Sequence, residues 1–109
     1  MAFKNTQKTL TTVETEIYVA PAATDAIVIS GIFSNTDEAY KKPVNVTMKL
    51  TQGNVTTFIL TDVPIPYGGS LTIPKLVVKG EGKLIAVAAN GNSESKIDVT
   101  LGILETAAE

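Results

Sequence analysis

Apolar and polar residues alternate with a period of two along much of this chain. In VNVTMKL (44–50) an apolar residue is followed each time by asparagine, threonine or lysine, and IDVTLGI (97–103) alternates in the same way. Successive side chains of a β-strand point to opposite faces of the sheet. The period therefore predicts two strands that each have one buried and one solvated face.

Several further segments are rich in β-branched and apolar residues and predict additional strands. AIVISGIF (26–33) is apolar at both sets of alternate positions, which is typical of an interior strand. We expect VTTFILTDV (55–63) to end at Pro64, and we expect Phe33 and Phe58 to be core residues. The other candidates are TEIYVA (15–20), KLIAVAA (83–89) and the short pair SLTI (70–73) and KLVV (75–78), which Pro74 separates.

Glycine, asparagine and proline separate these segments at intervals of about 8–12 residues, which predicts an all-β sandwich or small barrel. No segment predicts a helix longer than one or two turns. A phosphate-binding glycine loop has to be followed by a helix, because the helix N-terminus supplies the anion site. The glycines of KGEGK (79–83) lie between two strand candidates. We therefore interpret them as a hairpin turn in which glycine supplies positive φ.

Composition excludes several classes of function. The chain has 109 residues, 44% of them hydrophobic, which is enough for one domain. Its net charge is −2 and its nine basic residues are all lysine, so it lacks the arginine fork that recognises phosphates and base edges. It contains no cysteine and no histidine, the usual zinc ligands and near-neutral catalytic groups. We expect no nucleic-acid partner, no metal, no cofactor and no enzymatic activity.

The N-terminal sequence MAFKNTQKTLTT is polar and lacks the apolar core of a signal peptide. No window approaches the roughly 18 consecutive apolar residues of a membrane span, so we expect no membrane partner. We divide the chain into an N-terminal arm (1–12) and a β-sandwich domain (13–109). If the arm is ordered, a neighbouring chain, strand addition to another sheet or the edge of its own sheet has to hold it.

A few side chains are candidates for contacts or chemistry. Asp37 and Glu38 share a polar loop and offer oxygen ligands for Ca²⁺, but their spacing matches no calcium-loop pattern and a solvated loop explains them fully. Two glutamates near the first strand candidate form either a carboxylate pair or a solvated, aggregation-resistant edge. Tyr40 and Tyr67 lie next to turns, where tyrosine acts either as an interface anchor or as a loop-packing residue. The two glutamates are Glu14 and Glu16.

The order of strands and turns carries a family resemblance over nearly the whole chain. The first half contains KTLTTVETEIYVAPA (8–22), and the second contains the more distinctive run VPIPYGGSLTIPKLVVKGEGKLIAVAANGNSESKIDVTLGILE (63–105). The pattern resembles small virion structural proteins of tailed bacteriophages, of the head decoration or cement type known from marine and cyanobacterial phages. The proline at position 74 departs from the commoner form.

The resemblance implies a single antiparallel β-sandwich, jelly-roll-like, with about eight short strands. It implies a decoration protein that binds and stabilises the assembled head shell, located in the virion and assembled in the host cytoplasm. The implied partners are the major capsid protein or other virion proteins and further copies of the chain, with a trimer favoured. A tail, neck or fibre-associated protein and a carbohydrate- or receptor-binding module are the alternatives. The expected contact residues are Phe3, Lys4, Thr9, Leu10, Tyr40 and Tyr67.

Overall fold

The computed structural model describes residues 2–36, 41–89 and 97–107. Within these ranges no helix is long and apolar enough to cross a membrane. The described chain folds into nine β-strands that form two antiparallel sheets. The strands are β1 (Ala2–Leu10), β2 (Thr15–Val19), β3 (Thr24–Ser34), β4 (Val44–Gln52), β5 (Val55–Ile65), β6 (Ser70–Thr72), β7 (Leu76–Val78), β8 (Lys83–Ala89) and β9 (Ile97–Ala107).

The strand order of the two sheets is that of a jelly roll. Sheet A has the order β1-β9-β3-β6, with β7 also paired to β3, and sheet B has the order β2-β8-β4-β5. The first strand thus pairs with the last and the second with the last but one, so the chain winds back on itself between the sheets. The predicted all-β, jelly-roll-like sandwich is confirmed.

β6 and β7 together occupy one strand position beside β3. β6 pairs with residues 32–34 and β7 with residues 26–28 of that strand. Pro74 lies between them and has no N–H to donate to a ladder, which explains the interruption predicted there. Nine strands therefore fill eight positions, in agreement with the expected number.

The core lies between the inner faces of the two sheets. Along β9 the alternate residues Ile97, Val99, Leu101 and Ile103 are all buried, as the period of two predicts. Val44, Val46 and Met48 on β4 and the side chain of Phe33 are fully buried as well, and Leu50 packs against them partly buried. Each such side chain contributes about 1.5–3 kcal/mol to stability through its removal from water.

Two expectations about β5 are wrong. Phe58 is 59% exposed and lies outside the core. The pairing of β4 with β5 shifts register twice, so that Phe58 lies opposite Lys49 on the outer face while Leu60 lies opposite Met48 on the core face. The strand also continues through Pro64 to Ile65. β5 is an edge strand, where a missing N–H on the open side leaves no partner unsatisfied.

The interpretation of KGEGK as a hairpin is also wrong. The segment leads from β7 in sheet A to β8 in sheet B, so it crosses between sheets. The positive φ, 67°, belongs to Glu81. Gly82 is required for a different reason, because a Cβ there would lie 2.8 Å from the carbonyl oxygen of Lys79. A strand still follows the glycines, which is the feature that separates this turn from a phosphate loop.

The segment predicted to be an arm forms β1 at the edge of sheet A. It pairs with β9 along its whole length, from Ala2 opposite Glu105 to Leu10 opposite Ile97. The sequence analysis left three ways to hold an ordered N-terminal segment: a neighbouring chain, another sheet or the edge of its own sheet. In this structure the segment is held by the edge of its own sheet. Most of β1 is nevertheless exposed, and only Leu10 is buried. The division into arm and domain stays a prediction.

Candidate interaction surface

Four strands of sheet A align apolar residues in a row across its outer face. Phe3 on β1 pairs with Leu104 on β9, which pairs with Ile27 on β3, which in turn pairs with Val77 on β7. Directly paired residues share a face of the sheet, and four strands span about 14 Å at the usual spacing. The exposed fractions are 74% for Phe3, 50% for Val77 and 37% for Ile27.

A β-bulge in β3 places a fifth apolar side chain beside this row. Val28 pairs with Ile103 and Ser30 with Gly102, so Ile29 is the extra residue, and it is 40% exposed. We call Phe3, Ile27, Ile29, Val77 and Leu104 the apolar patch. Together these side chains expose on the order of 400 Å² of apolar surface, a size that often marks an interaction site.

β3 was predicted to be an interior strand because it is apolar on both faces. It does lie in the interior of the sheet, between β9 and the β6–β7 position. Its outer side chains are nevertheless uncovered, since Ile27, Ile29 and Ile32 are all exposed. The composition of β3 therefore matches a strand that is covered on both faces, although this chain covers only one of them.

The outer face of sheet B is polar and crosslinked by ion pairs. Lys49 Nζ lies 2.6 Å from Glu14 Oε1, and Lys83 Nζ lies 3.1 Å from Glu16 Oε2. The two glutamates are thus neutralised by separate lysines and do not form the carboxylate pair considered from the sequence. Phe58 is the large apolar side chain that this face exposes most.

A hydrogen-bonded trio links the two sheets at one end of the core. The Tyr18 hydroxyl on β2 donates to Glu105 Oε2 on β9, and Lys4 Nζ on β1 lies 2.9 Å from Glu105 Oε1. Tyr18 and Glu105 are buried. The hydrogen bond from Tyr18, followed by that from Lys4, lowers the pKa of the Glu105 carboxyl below its ordinary value. Burial, followed by the bond to Glu105, raises the pKa of Tyr18.

Sequence reasoning missed this trio, although a signal for it exists. Glu105 occupies the next inner position of β9 after Ile103, so the period of two extended by one step places a carboxylate in the core. Each of its oxygens is engaged by a neighbouring side chain, as a buried charge requires. The arrangement crosslinks β1, β2 and β9.

A second polar anchor fixes the turn that carries Tyr67. Asn35 is fully buried, and its Nδ2 donates to the carbonyl oxygens of Lys42 and Ile65, each at 2.9 Å. Its backbone also exchanges hydrogen bonds with Gly68 and Gly69. The turn is closed by Gly69 N donating to Pro66 O, with Gly68 at a φ of 81°, as a type II turn requires. Tyr67 is therefore exposed on a well-anchored turn.

The expected contact residues fall into different places. Phe3 and Thr9 lie on the outer side of β1, where Thr9 Oγ1 donates to Asp98 Oδ1 at 2.9 Å. Lys4 belongs to the trio with Glu105. Leu10 is fully buried in the domain's own core. Tyr67 lies on the anchored turn, and Tyr40 lies outside the described residues. Their roles as partner contacts stay predictions.

The described part of the chain contains few other candidates for a binding or catalytic site. A shallow hollow of about 350 Å³ runs along β1 and β9, and among the described residues that line it the one carboxylate is Asp98, which accepts hydrogen bonds from Thr9 and Thr36. No group of three or more acidic, histidine or cysteine side chains with metal-binding geometry occurs within the described ranges. The calcium candidates Asp37 and Glu38 lie outside those ranges.

Comparison with known proteins supports the fold. No family model and no curated protein matches the sequence. A pentameric capsid protein isolated from metagenomic phage sequences matches in structure with a TM-score of 0.47 and 18% identity, over 95% of this chain and 62% of that chain. A chain of infectious bursal disease virus, Gx strain, matches with a TM-score of 0.52 and 10% identity, over 94% of this chain and 32% of that chain.

This chain therefore spans less than two thirds of either of these proteins. At 10% identity the likeness to the viral chain shows a shared architecture. Together with the strand order, it defines the class of this protein as a jelly-roll β-sandwich.

Proposed function

We propose that this chain is a virion structural protein of a tailed bacteriophage, and specifically a decoration protein that binds the assembled head shell. The observation that carries the proposal is a jelly-roll domain whose most distinctive surface is an uncovered apolar face. Jelly rolls recur in viral capsid proteins and in lectins. Apolar patches of this size occur on monomers and are often functional, so this face supports a role as contact surface.

The sequence resemblance and the structural comparison point in the same direction. The resemblance covers nearly the whole chain, and the architecture also occurs in a chain of a virus particle. Fold alone does not determine function, so the proposal depends on fold, surface and resemblance together. In this proposal the chain contributes contact surface, with no enzymatic activity and no cofactor, and its location is the virion assembled in the host cytoplasm.

Decoration would act through linked equilibria. A protein that binds the expanded, assembled lattice and not its free subunits stabilises the assembled state by mass action. Each contact needs about 1,000 Å² of buried surface to be specific. Many copies on one shell add their effects, so modest individual affinities suffice.

We propose the major capsid protein, or another virion protein, as the partner. Tyr67 is the contact residue that we favour most, because its turn is anchored to the fully buried Asn35 and loses little entropy on binding. The exposed residues of β1 are the second candidate contact. In this proposal copies of the chain associate into a homo-oligomer. The trimer implied by the resemblance stays a prediction.

Imaging of native particles that contain this chain tests the location. A copy number in the hundreds, at sites where capsid subunits meet, is the expected result. A copy number of six, twelve or a small multiple would place the chain at the neck or tail and would overturn the decoration role.

A shell-binding assay tests the contact. Removal of residues 1–10 is a poor probe, because it takes Leu10 out of the core. Tyr67→Ala is sharper, with Phe58→Ala as a matched control in which another exposed aromatic residue is truncated. We expect Tyr67→Ala to weaken binding to empty shells at least tenfold and the control to bind normally. Normal binding by Tyr67→Ala would remove this turn from the interface.

A further inference from the structure

We infer that the outer face of sheet A is a two-fold interface, at which two copies of this chain pack sheet against sheet through the apolar patch. This inference concerns the association of the chain with itself, and it does not depend on the proposed role in a virion. It rests on the area, relief and charge of the face and on the number of such patches.

The area of the face suffices for a stable pair. The domain measures 46 × 27 × 18 Å, so a face spanned by the two long axes covers on the order of 1,000 Å². A specific interface buries about 800 Å² on each partner. The apolar patch supplies the uncharged centre that such interfaces have, with polar positions around it.

The relief of the face suits contact with an identical face. The row from Phe3 to Val77 consists of large side chains, whereas the neighbouring outer row contains Asn5, Gly102 and Ser30. A high row therefore lies beside a low one. A copy turned by two-fold symmetry lays its high row over the low row of its partner, which is how two sheets interdigitate at about 10 Å.

The charges around the patch also permit self-association. The patch contains no charged residue, and the next outer positions on the other side include Asp25 and Lys79, whose charged atoms lie 3.5 Å apart. One charge of each sign at the border allows a two-fold copy to approach without facing like charges. The net charge of −2 leaves little overall repulsion between two copies.

The number of patches favours a pair over a ring. A closed trimer uses two different surfaces on each copy, whereas a two-fold dimer uses one surface twice. Among the described residues, the other large apolar side chains that are exposed do not line up as neighbours across strands. They are Val13, Val19, Ile32, Val55, Phe58 and Tyr67. The trimer implied by the resemblance would need a second surface of this kind.

Sedimentation equilibrium of the purified 109-residue chain tests the inference. We expect a mass twice the 11.5 kDa of the chain at concentrations on the order of 100 μM. Ile27→Lys and Phe3→Ser, which alter the patch, should raise the dimer dissociation constant at least tenfold. Phe58→Ser is the matched control, because it removes a similarly exposed phenylalanine from the outer face of sheet B, and it should leave the constant unchanged.

Each other outcome overturns the inference. A monomeric or trimeric wild-type chain would do so, as would a dimer that resists both patch variants or one that Phe58→Ser weakens equally. Circular dichroism confirms that each variant is folded, and Ile27→Thr, which keeps a β-branched residue, replaces Ile27→Lys if that variant unfolds. A monomeric chain that still binds shells would overturn the inference and leave the proposed binding to the shell intact.

Discussion

The outer faces of the two sheets differ although their inner faces are alike. Sheet B exposes lysines paired with glutamates, the usual surface of a soluble domain. Sheet A exposes Phe3, Ile27, Ile29 and Val77, with the half-buried Leu104 between them. Both inner faces are continuous and apolar. The domain therefore folds around one core, and the outer face of sheet A has a composition that folding alone does not require.

The largest expected difference in stability is between substitutions on the two faces of β9. Leu101 faces the core and Leu104 faces outward, both on β9. We expect Leu101→Ala to lower the free energy of unfolding by about 2–5 kcal/mol, because it leaves a cavity in a fully buried site. Leu104→Ala should cost about 1 kcal/mol or less. Urea unfolding measures the free energy of unfolding of both variants, at a submicromolar protein concentration at which copies of the chain are dissociated. Equal losses would show that the outer face of sheet A is already covered within one chain.

The next effect concerns the trio that ties the sheets together. Glu105→Ala leaves the buried Tyr18 hydroxyl without its acceptor, and we expect a loss of about 1–3 kcal/mol. Tyr18→Phe leaves Glu105 Oε2 without its donor while Lys4 still pairs with Oε1, and it should cost a similar amount. Unfolding curves for the two variants measure these losses, and wild-type stability for either variant would contradict the bridging role.

The same trio makes stability depend on pH. The pKa of Glu105 is lowered in the folded chain, so its contribution is present above the ordinary value of 4.5 and is lost as the pH falls through the folded value. The pKa of Tyr18 is raised, so its contribution is present below the ordinary value of 10.0 and declines as the pH rises above it. Stability measured from pH 3 to 7 should fall more steeply on acidification for the wild type than for Glu105→Gln. Parallel curves would remove Glu105 as a source of acid sensitivity.

The smallest effect belongs to the polar face of sheet B. The Lys49–Glu14 pair is partly exposed to water, so we expect Glu14→Gln to cost about 0.2–1 kcal/mol. Most of that difference should disappear in 1 M salt, where screening extends to about 3 Å. Unfolding at low and high salt tests this, and a loss that persists in high salt would mean that packing dominates the contact.

The sequence predicted the strands well where a simple alternation holds. β4, β8 and β9 follow their apolar pattern, and the break at Pro74 follows from the missing N–H. The prediction of which side chains are buried failed where a β-bulge inserts an extra residue into a strand. A bulge shifts the alternation by one residue and moves the following side chains to the other face, which is why Phe58 was misplaced. Nothing in the local composition of β5 shows where the register shifts.

The candidate surface was only partly predictable for a different reason. An apolar outer side on β3 indicates a covered strand, but composition does not distinguish a cover supplied by the same chain from one supplied by another. The row from Phe3 to Val77 requires the register of three strand pairs, and these pairs join residues far apart in the sequence. Phe3 was expected as a contact residue from its place in the N-terminal segment alone.

The pairing of the first strand with the last also affects how the chain is made. Ala2 lies opposite Glu105, so β1 leaves the ribosome long before its partner exists. Until β9 has been synthesised, sheet A lacks its second strand, and the apolar side chains of β3 have no neighbour on that side. Folding of this domain is therefore completed after translation of β9, and pairings between residues so far apart in the sequence favour slow folding.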